Sequence, residues 1–383
     1  MENNNYVSIE ELERLLAWRS EDGILSLYLD MERNKPVNQI LKPMINSELH
    51  KLLEKYPEDR ALQQAATDAY NDIAGLSLDK FKRSIIYFRN FTTDEFFFRS
   101  IQFPVQNACT WTDSAYLRPL VAVMEKAPLL GIVILSKESA RVLTWRQGMI
   151  SEDEEMRFEL EIGLDDELSP AGSGRGHLGG AQSDLYAQKV AVQVKKNLVE
   201  LTRAVVDVAH ELGWQSMMLI GSPKFTETVE EYLPLQWQDK VIGKLDKNYI
   251  KATLTQIADS TTDLLDTWKQ KIDVTLAQTV VDTFSAGGRA TAGVQKILDA
   301  LAQARVEHLV FSSDLVINGW YDNNGELLIG LSAEEAEGLK AEPYVVERMI
   351  EKALDSGARV TPVEKKAADI LKPYGGAAAF LRY

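Results

Sequence analysis

The sequence predicts a three-part α/β (α+β) protein, and three observations predict it. The chain has 383 residues, of which 45% are hydrophobic, enough to bury several separate cores. Its middle has the order strand, strand, strand, glycine-rich loop, long helix, strand, helix, an α/β layer arrangement. Its last part alternates helix–strand–helix–strand, the order of a small parallel-sheet α/β/α sandwich. The expected domains are an N-terminal α/β domain at 1–128, a middle domain at 129–270 carrying the loop, and a C-terminal sandwich at 271–383.

In the first segment, Ser8 and Glu11 have capping-box spacing ahead of Leu12, Leu15 and Leu16. Residues 23–32, GILSLYLDME, alternate and predict a strand with at least one buried face. A long helical stretch follows from Val37 to Ala74, then a hairpin of SIIYFRN and EFFFRSIQF. Phe96, Phe97 and Phe98 could stack on bases, but aromatics on a strand are more often core, and core is the expectation.

The second segment begins with a hairpin over Leu129–Ile150 turning at Ser136–Ser139, and EEMRFELEIG extends its sheet. A long amphipathic helix from Leu185 to about Leu212 carries Val194, Leu198, Leu201, Val205 and Val208 at the 3.6-residue period. The apolar strand SMMLIGS and a helix opened by Pro223 come next, and residues 247–282 read as a polar linker helix with a solvated face. In the third segment GRATAGVQKILDALAQARV is expected to be one helix, and EHLVFSSDL a strand. A further helix, a second strand and a closing glycine turn into AAAFLRY complete it.

Composition excludes several functions. One cysteine, Cys109, makes no internal disulfide and no structural zinc site, and it is expected to be a packed residue, not a nucleophile. His50, His177, His210 and His308 have no metal-ligand spacing, so neither a metal nor any other cofactor is expected. The polar, acidic start is unlike a signal or transit peptide, and no apolar run is long enough for a membrane span, which points to the cytoplasm. The net charge of −15 gives no long-range attraction to nucleic acid, so any such contact needs a local basic patch.

Residues 171–182, AGSGRGHLGGAQ, are the segment that could carry chemistry. Such a stretch is commonly a plain surface loop. Here it runs directly into a long helix whose first N–H groups are free, and Arg175 and His177 interrupt the glycines as anion contacts would. Gln182 adds an amide, donor and acceptor together, where loop becomes helix. The phosphate-cradling Gly-x-x-x-x-Gly-Lys-Ser/Thr pattern is absent.

Gly179-Gly180-Ala181-Gln182 resembles the Gly-Gly-Gln tip of the archaeal and eukaryotic class 1 release factors, and the surrounding order of hairpin, loop, long helix and the strand ending Gly221-Ser222-Pro223-Lys224 is similar too. Gly288–Gly293, Ala304–Leu309 and the closing Gly375–Tyr383 resemble that family's last domain. The resemblance, to a bacterial member of the archaeo-eukaryotic class 1 release factor and Pelota superfamily, spans about Leu129–Tyr383. It departs at Ala181, which interrupts the three-residue motif, and in the first segment, which lacks a stop-codon-reading motif.

The resemblance implies a middle domain of RNase H-like fold. It implies a ribosome-associated factor in rescue or termination that promotes peptidyl-tRNA ester hydrolysis, with Gly179, Gly180 and Gln182 as the catalytic tip. Glycines let the backbone enter a crowded RNA pocket, and an amide with neighbouring N–H groups can orient water and stabilise the oxyanion, so no charged base is needed. Arg175, His177, Lys189 and Lys196 would hold phosphates, the alternative for the lysines being a solvated helix face. The ribosome and peptidyl-tRNA are the implied partners, and a translational GTPase is a further candidate. Two other readings stay open: a non-catalytic ribosome- or tRNA-binding rescue or dormancy factor, and an α/β adaptor or enzyme unrelated to translation.

Overall fold

The computed structural model describes residues 6–31, 36–137, 139–159, 179–322, 325–332 and 334–383, with the backbone alone for 153–156, 159 and 179–191. The chain forms two compact units, one of residues 1–127 with 269–383 and the other of residues 128–268.

The first unit opens with α1 (Ile9–Leu16), where the Ser8 and Glu11 side chains each accept from the other's backbone N–H. Next come β1 (Arg19–Asp30), α2 (Val37–Lys55), α3 (Arg60–Ala74), β2 (Ser84–Asn90), β3 (Phe96–Ile101), β4 (Ala108–Ser114) and α4 (Arg118–Lys126). The expected single helical stretch over 37–74 is two helices, because the chain turns at residues 56–59 and Asp59 caps a new start by accepting from the Leu62 N–H. Strands β3-β2-β1-β4 form an antiparallel sheet. Leu25, Leu27 and Leu29 of β1 pack under α2 and α3, while Ile24 and Tyr28 enter a second core, so both faces of the strand are buried. Phe97 is core, whereas Phe96 lies on the surface against Tyr87. Burial pushes the Cys109 thiol up to about 12, which keeps it unreactive at neutral pH.

The second unit contains β5 (Leu130–Leu135), β6 (Ser139–Arg146), β7 (Met149–Glu159), α5 (Gly179–Glu211), β8 (Ser216–Ile220), α6 (Pro223–Tyr232), α7 (Leu235–Gln238) and β9 (Val241–Leu245). The helix α8 (Leu254–Ser285) begins here and continues past the unit boundary at 268. The sheet order is β7-β6-β5-β8-β9; β5, β8 and β9 pair parallel, and β6 pairs antiparallel with both β5 and β7, so it alone runs against the rest. This is the RNase H-like arrangement. Trp214 packs on Gly131 so closely that a Cβ there would sit 1.9 Å from its ring, which is why β5 carries glycine at that point. The predicted polar linker is more than that: Ile257, Thr261 and Leu265 of α8 are buried and Leu264 lies against Gly243, while Asp263, Asp266 and Lys271 face solvent.

The rest of the first unit contains β10 (Ala290–Ala292), α9 (Val294–Ala302), β11 (Val306–Ser312), β12 (Gly319–Tyr321), β13 (Leu327–Ile329), β14 (Lys340–Glu342), α10 (Val345–Asp355), β15 (Arg359–Val363), α11 (Lys365–Leu371) and β16 (Ala377–Leu381). The helix expected over 288–306 is corrected at its start. Ala290–Ala292 pairs antiparallel with β16, and Gly293 at φ +95° turns the chain before α9 begins. The sheet β10-β16-β11-β15 is therefore mixed, with only β11 and β15 parallel. Alternation along β11 builds the sandwich: Leu309 and Phe311 face α9 and α10, and Val310 faces α8 and α11. A small sheet β13-β12-β14 was not anticipated, since three-residue strands leave little periodic signal.

The two parts of this unit are joined by buried charge. Arg348 of α10 donates to Glu342 at 2.8 Å, Glu351 at 3.2 Å and Ser114 Oγ at 2.9 Å, and also reaches Asp113. Arg118 donates to Glu347 at 2.7 Å. Burial pushes the Glu347 carboxyl up to about 7, against the opposing pull of Arg118. A carboxyl raised above its ordinary 4.5 holds its proton better in the folded state, so its contribution is complete below pH 4.5 and is lost as pH rises through about 7. Glu347→Gln is expected to abolish that falling component. Denaturant midpoints measured from pH 4 to 8 check it, and an unchanged slope in the variant assigns the pH dependence elsewhere.

Candidate functional site

The site is built on the second unit, at the start of α5. That helix holds its place by Val194, Leu198, Leu201, Val205, Val206 and Ala209, which pack on Val133, Leu135, Met217 and Leu219 of the sheet. It begins at Gly179, earlier than the expected Leu185, and runs for 33 residues. Val194, the first α5 residue in that core among the described residues, stands 15 positions after Gly179, about 22 Å of helical rise.

Gly179, Gly180 and Ala181 thus fill the helix's first turn, where backbone N–H groups have no intrahelical acceptor and the helix dipole is positive; Gln182 follows at once. With the helix already begun, Ala181 turns Gln182 about 100° round the axis from where an uninterrupted Gly-Gly-Gln would put it. Lys189 lies on the same helix, at a position described in backbone only. Lys196 is exposed and stands 4.0 Å from Glu200 one turn on, which fits a solvated helix face. Arg175 and His177 lie outside the described residues.

A second feature of this unit, invisible in the sequence, is Arg141. Its side chain is only 8% exposed and meets Glu152 of β7 through two bonds of 2.8 Å. Its Nη1 also donates to the backbone carbonyls of Tyr249, Ile250 and Ala252 at 3.2, 3.0 and 2.8 Å. One guanidinium therefore ties β6, β7 and the loop after β9 together at the sheet edge where β7 ends at Glu159. Only the fold could reveal this, since the loop lies more than 100 positions away.

Arg141 holds the Glu152 carboxyl down at about 2, with Arg157 adding to the effect and burial opposing it. A depressed carboxylate stabilises above its ordinary 4.5, and that contribution is lost as pH falls towards 2. The sign is opposite to that at Glu347. Glu152→Gln is expected to remove the acid-side loss between pH 4.5 and about 2; a variant that still loses stability with the wild-type slope would show that another carboxylate is responsible.

Elsewhere in the unit His210 Nε2 accepts from the Trp237 indole at 3.2 Å, a packing role. Among the described residues no group of His, Cys, Asp and Glu could hold a metal ion, and no helix is long and apolar enough to cross a membrane.

This α/β domain, a five-stranded sheet with a long helix that opens on Gly179 and Gly180, is similar to the bacterial archaeo-eukaryotic release factor class. Residues 116–267 match the model of bacterial archaeo-eukaryotic release factor family 10. No curated protein matches the chain. Among solved structures, the archaeal translation termination factor aRF1 aligns over 100% of both chains at 17% identity, with a TM-score of 0.25. Ribosome-bound archaeal Pelota aligns over 78% of each chain at 14% identity and 0.44. Pelota from Archaeoglobus fulgidus aligns over 78% of this chain and 79% of its own at 11% identity and 0.34. At such scores the superpositions carry no assignment.

Proposed function

We propose that this chain is a ribosome-associated release-factor-like protein of the cytoplasm that acts in ribosome rescue or termination by promoting hydrolysis of the peptidyl-tRNA ester. One observation carries the reading: within a segment that matches a release-factor family model, Gly179-Gly180-Ala181-Gln182 opens a 33-residue helix. Two glycines keep that turn free of side-chain bulk, so its backbone donors can approach an RNA-bound ester closely. Gln182 would orient the attacking water, and the free N–H groups would receive the developing oxyanion. Arg175, His177 and Lys189 would contact phosphates beside it, and a translational GTPase would deliver the protein.

The test pairs ribosome co-sedimentation with peptidyl-tRNA release on stalled ribosomes, wild type against Gln182→Ala. A second reading is favoured by the extra Ala181 and the turn it imposes on Gln182: the protein occupies the stalled ribosome without hydrolysis. Co-sedimentation with no release from the wild type selects it. Absence of ribosome association at low salt, where phosphate contacts are strongest, removes both.

A further inference from the structure

In the second unit the parallel strands β5, β8 and β9 are neighbours, so their carboxyl ends leave the sheet at one edge, within about 10 Å across the three strands. In α/β sheets this is the edge outside which ligands bind. The segment leaving each strand carries lysine: Lys137 two positions after β5, Lys224 four after β8 in the first turn of α6, and Lys247 and Lys251 two and six after β9. All four are exposed. Elsewhere in the unit Lys196 and Lys244 stand against Glu200 and Glu230, and Lys195 and Lys240 lie over the Tyr232 and Trp237 rings; among the described residues Lys137, Lys224, Lys247 and Lys251 have no carboxylate within ion-pair distance. Lys247 instead lies over the Tyr249 ring at 5.5 Å. In a chain of net charge −15, four exposed ammonium groups on the segments that leave one sheet edge, with Asp246 the exposed acid beside Lys247, concentrate positive charge there.

The loop after β9 is also held in shape. Arg141 takes up three of its carbonyls from beneath, which fixes the backbone that presents Lys247 and Lys251. Fixing it in advance lowers the ordering cost of a contact.

We propose that Lys137, Lys224, Lys247 and Lys251 form an RNA-backbone contact surface at the carboxyl edge of this sheet, with Arg141 as its positioning residue. The proposal rests on the ribosome-directed function above and names residues that function did not. Lysines are point charges suited to phosphate and carry no base specificity, so the surface would hold RNA irrespective of sequence.

The test uses the full chain with all four lysines changed to alanine, and a second variant with all four changed to arginine. Binding to purified ribosomes and to a single-stranded RNA oligonucleotide is measured across a potassium chloride series. The alanine variant is expected to bind both probes at least about tenfold more weakly near 0.15 M salt, and to lose about 3 from the slope of log affinity against log salt, four contacts at roughly 0.7 each. The arginine variant is expected to keep wild-type binding, and both are expected to melt at the wild-type temperature. Wild-type binding to ribosomes with no loss in the alanine variant overturns the surface and leaves the ribosomal function standing. Lysine-dependent binding to RNA without ribosome binding keeps the surface and removes the ribosomal function. Equal lysine-dependent capture of polyglutamate overturns RNA as the partner in favour of an acidic protein.

Discussion

Replacing Gln182 with alanine is expected to slow peptide release from stalled ribosomes by about 100-fold, the cost of losing the group that positions the attacking water. Ribosome binding is expected to stay unchanged. An amide that acts only on the water and the oxyanion contributes in the transition state, so kcat and kcat/KM should fall together. A fall in KM-related binding alone would make Gln182 a contact and not a catalyst. Deleting Ala181 gives a sharper comparison, because within a helix it turns every earlier residue about 100° relative to Gln182. If the present register is the working one, the deletion is as damaging as the substitution. Equal release by wild type and Gln182→Ala removes the catalytic claim.

Arg348→Ala is expected to destabilise the first unit by about 3–5 kcal/mol, the range for breaking a buried ion pair from one side. Glu342 and Glu351 are nearly buried, at 5% and 7% exposure; Glu342 would be left with a charge and no guanidinium, and Glu351 with only Arg19 at 3.6 Å. The link from α10 to Asp113 would go with them, while Ser114 keeps its bond to Glu351. Urea unfolding measures the loss. Replacing Glu342 and Glu351 by glutamine in the same chain should recover much of it, since the stranded charges are the cost. A loss below about 1 kcal/mol would mean that solvent reaches these carboxylates.

The local elements that hold the candidate site were legible in the sequence because their signals are local. A 3.6-residue period placed α5 on its sheet through Val194, Leu198, Leu201 and Val205. Glycine content marked residues 171–182, and Pro223 marked the start of α6. Where short-range pattern and long-range pairing disagreed, pairing won. Ala290–Ala292 looked helical from its alanines, yet their backbone groups are taken by β16, 86 to 90 residues away. The start of α5 was misjudged for a related reason: paired glycines oppose a helix locally, and the structure still begins one at Gly179.

The sequence alone determined what the chain can present: an acidic molecule with one inert thiol, layered α/β segments, and an amide behind two glycines at the head of a long helix. Only the tertiary structure decided which charges meet. Arg141 closes on carbonyls more than 100 positions away, Arg348 joins β4 to α10 across more than 230, and three parallel strands bring four scattered lysines to one edge. Electrostatic contacts depend on distance in space, and a charged residue carries no periodic mark of the partner it will find once the chain is packed.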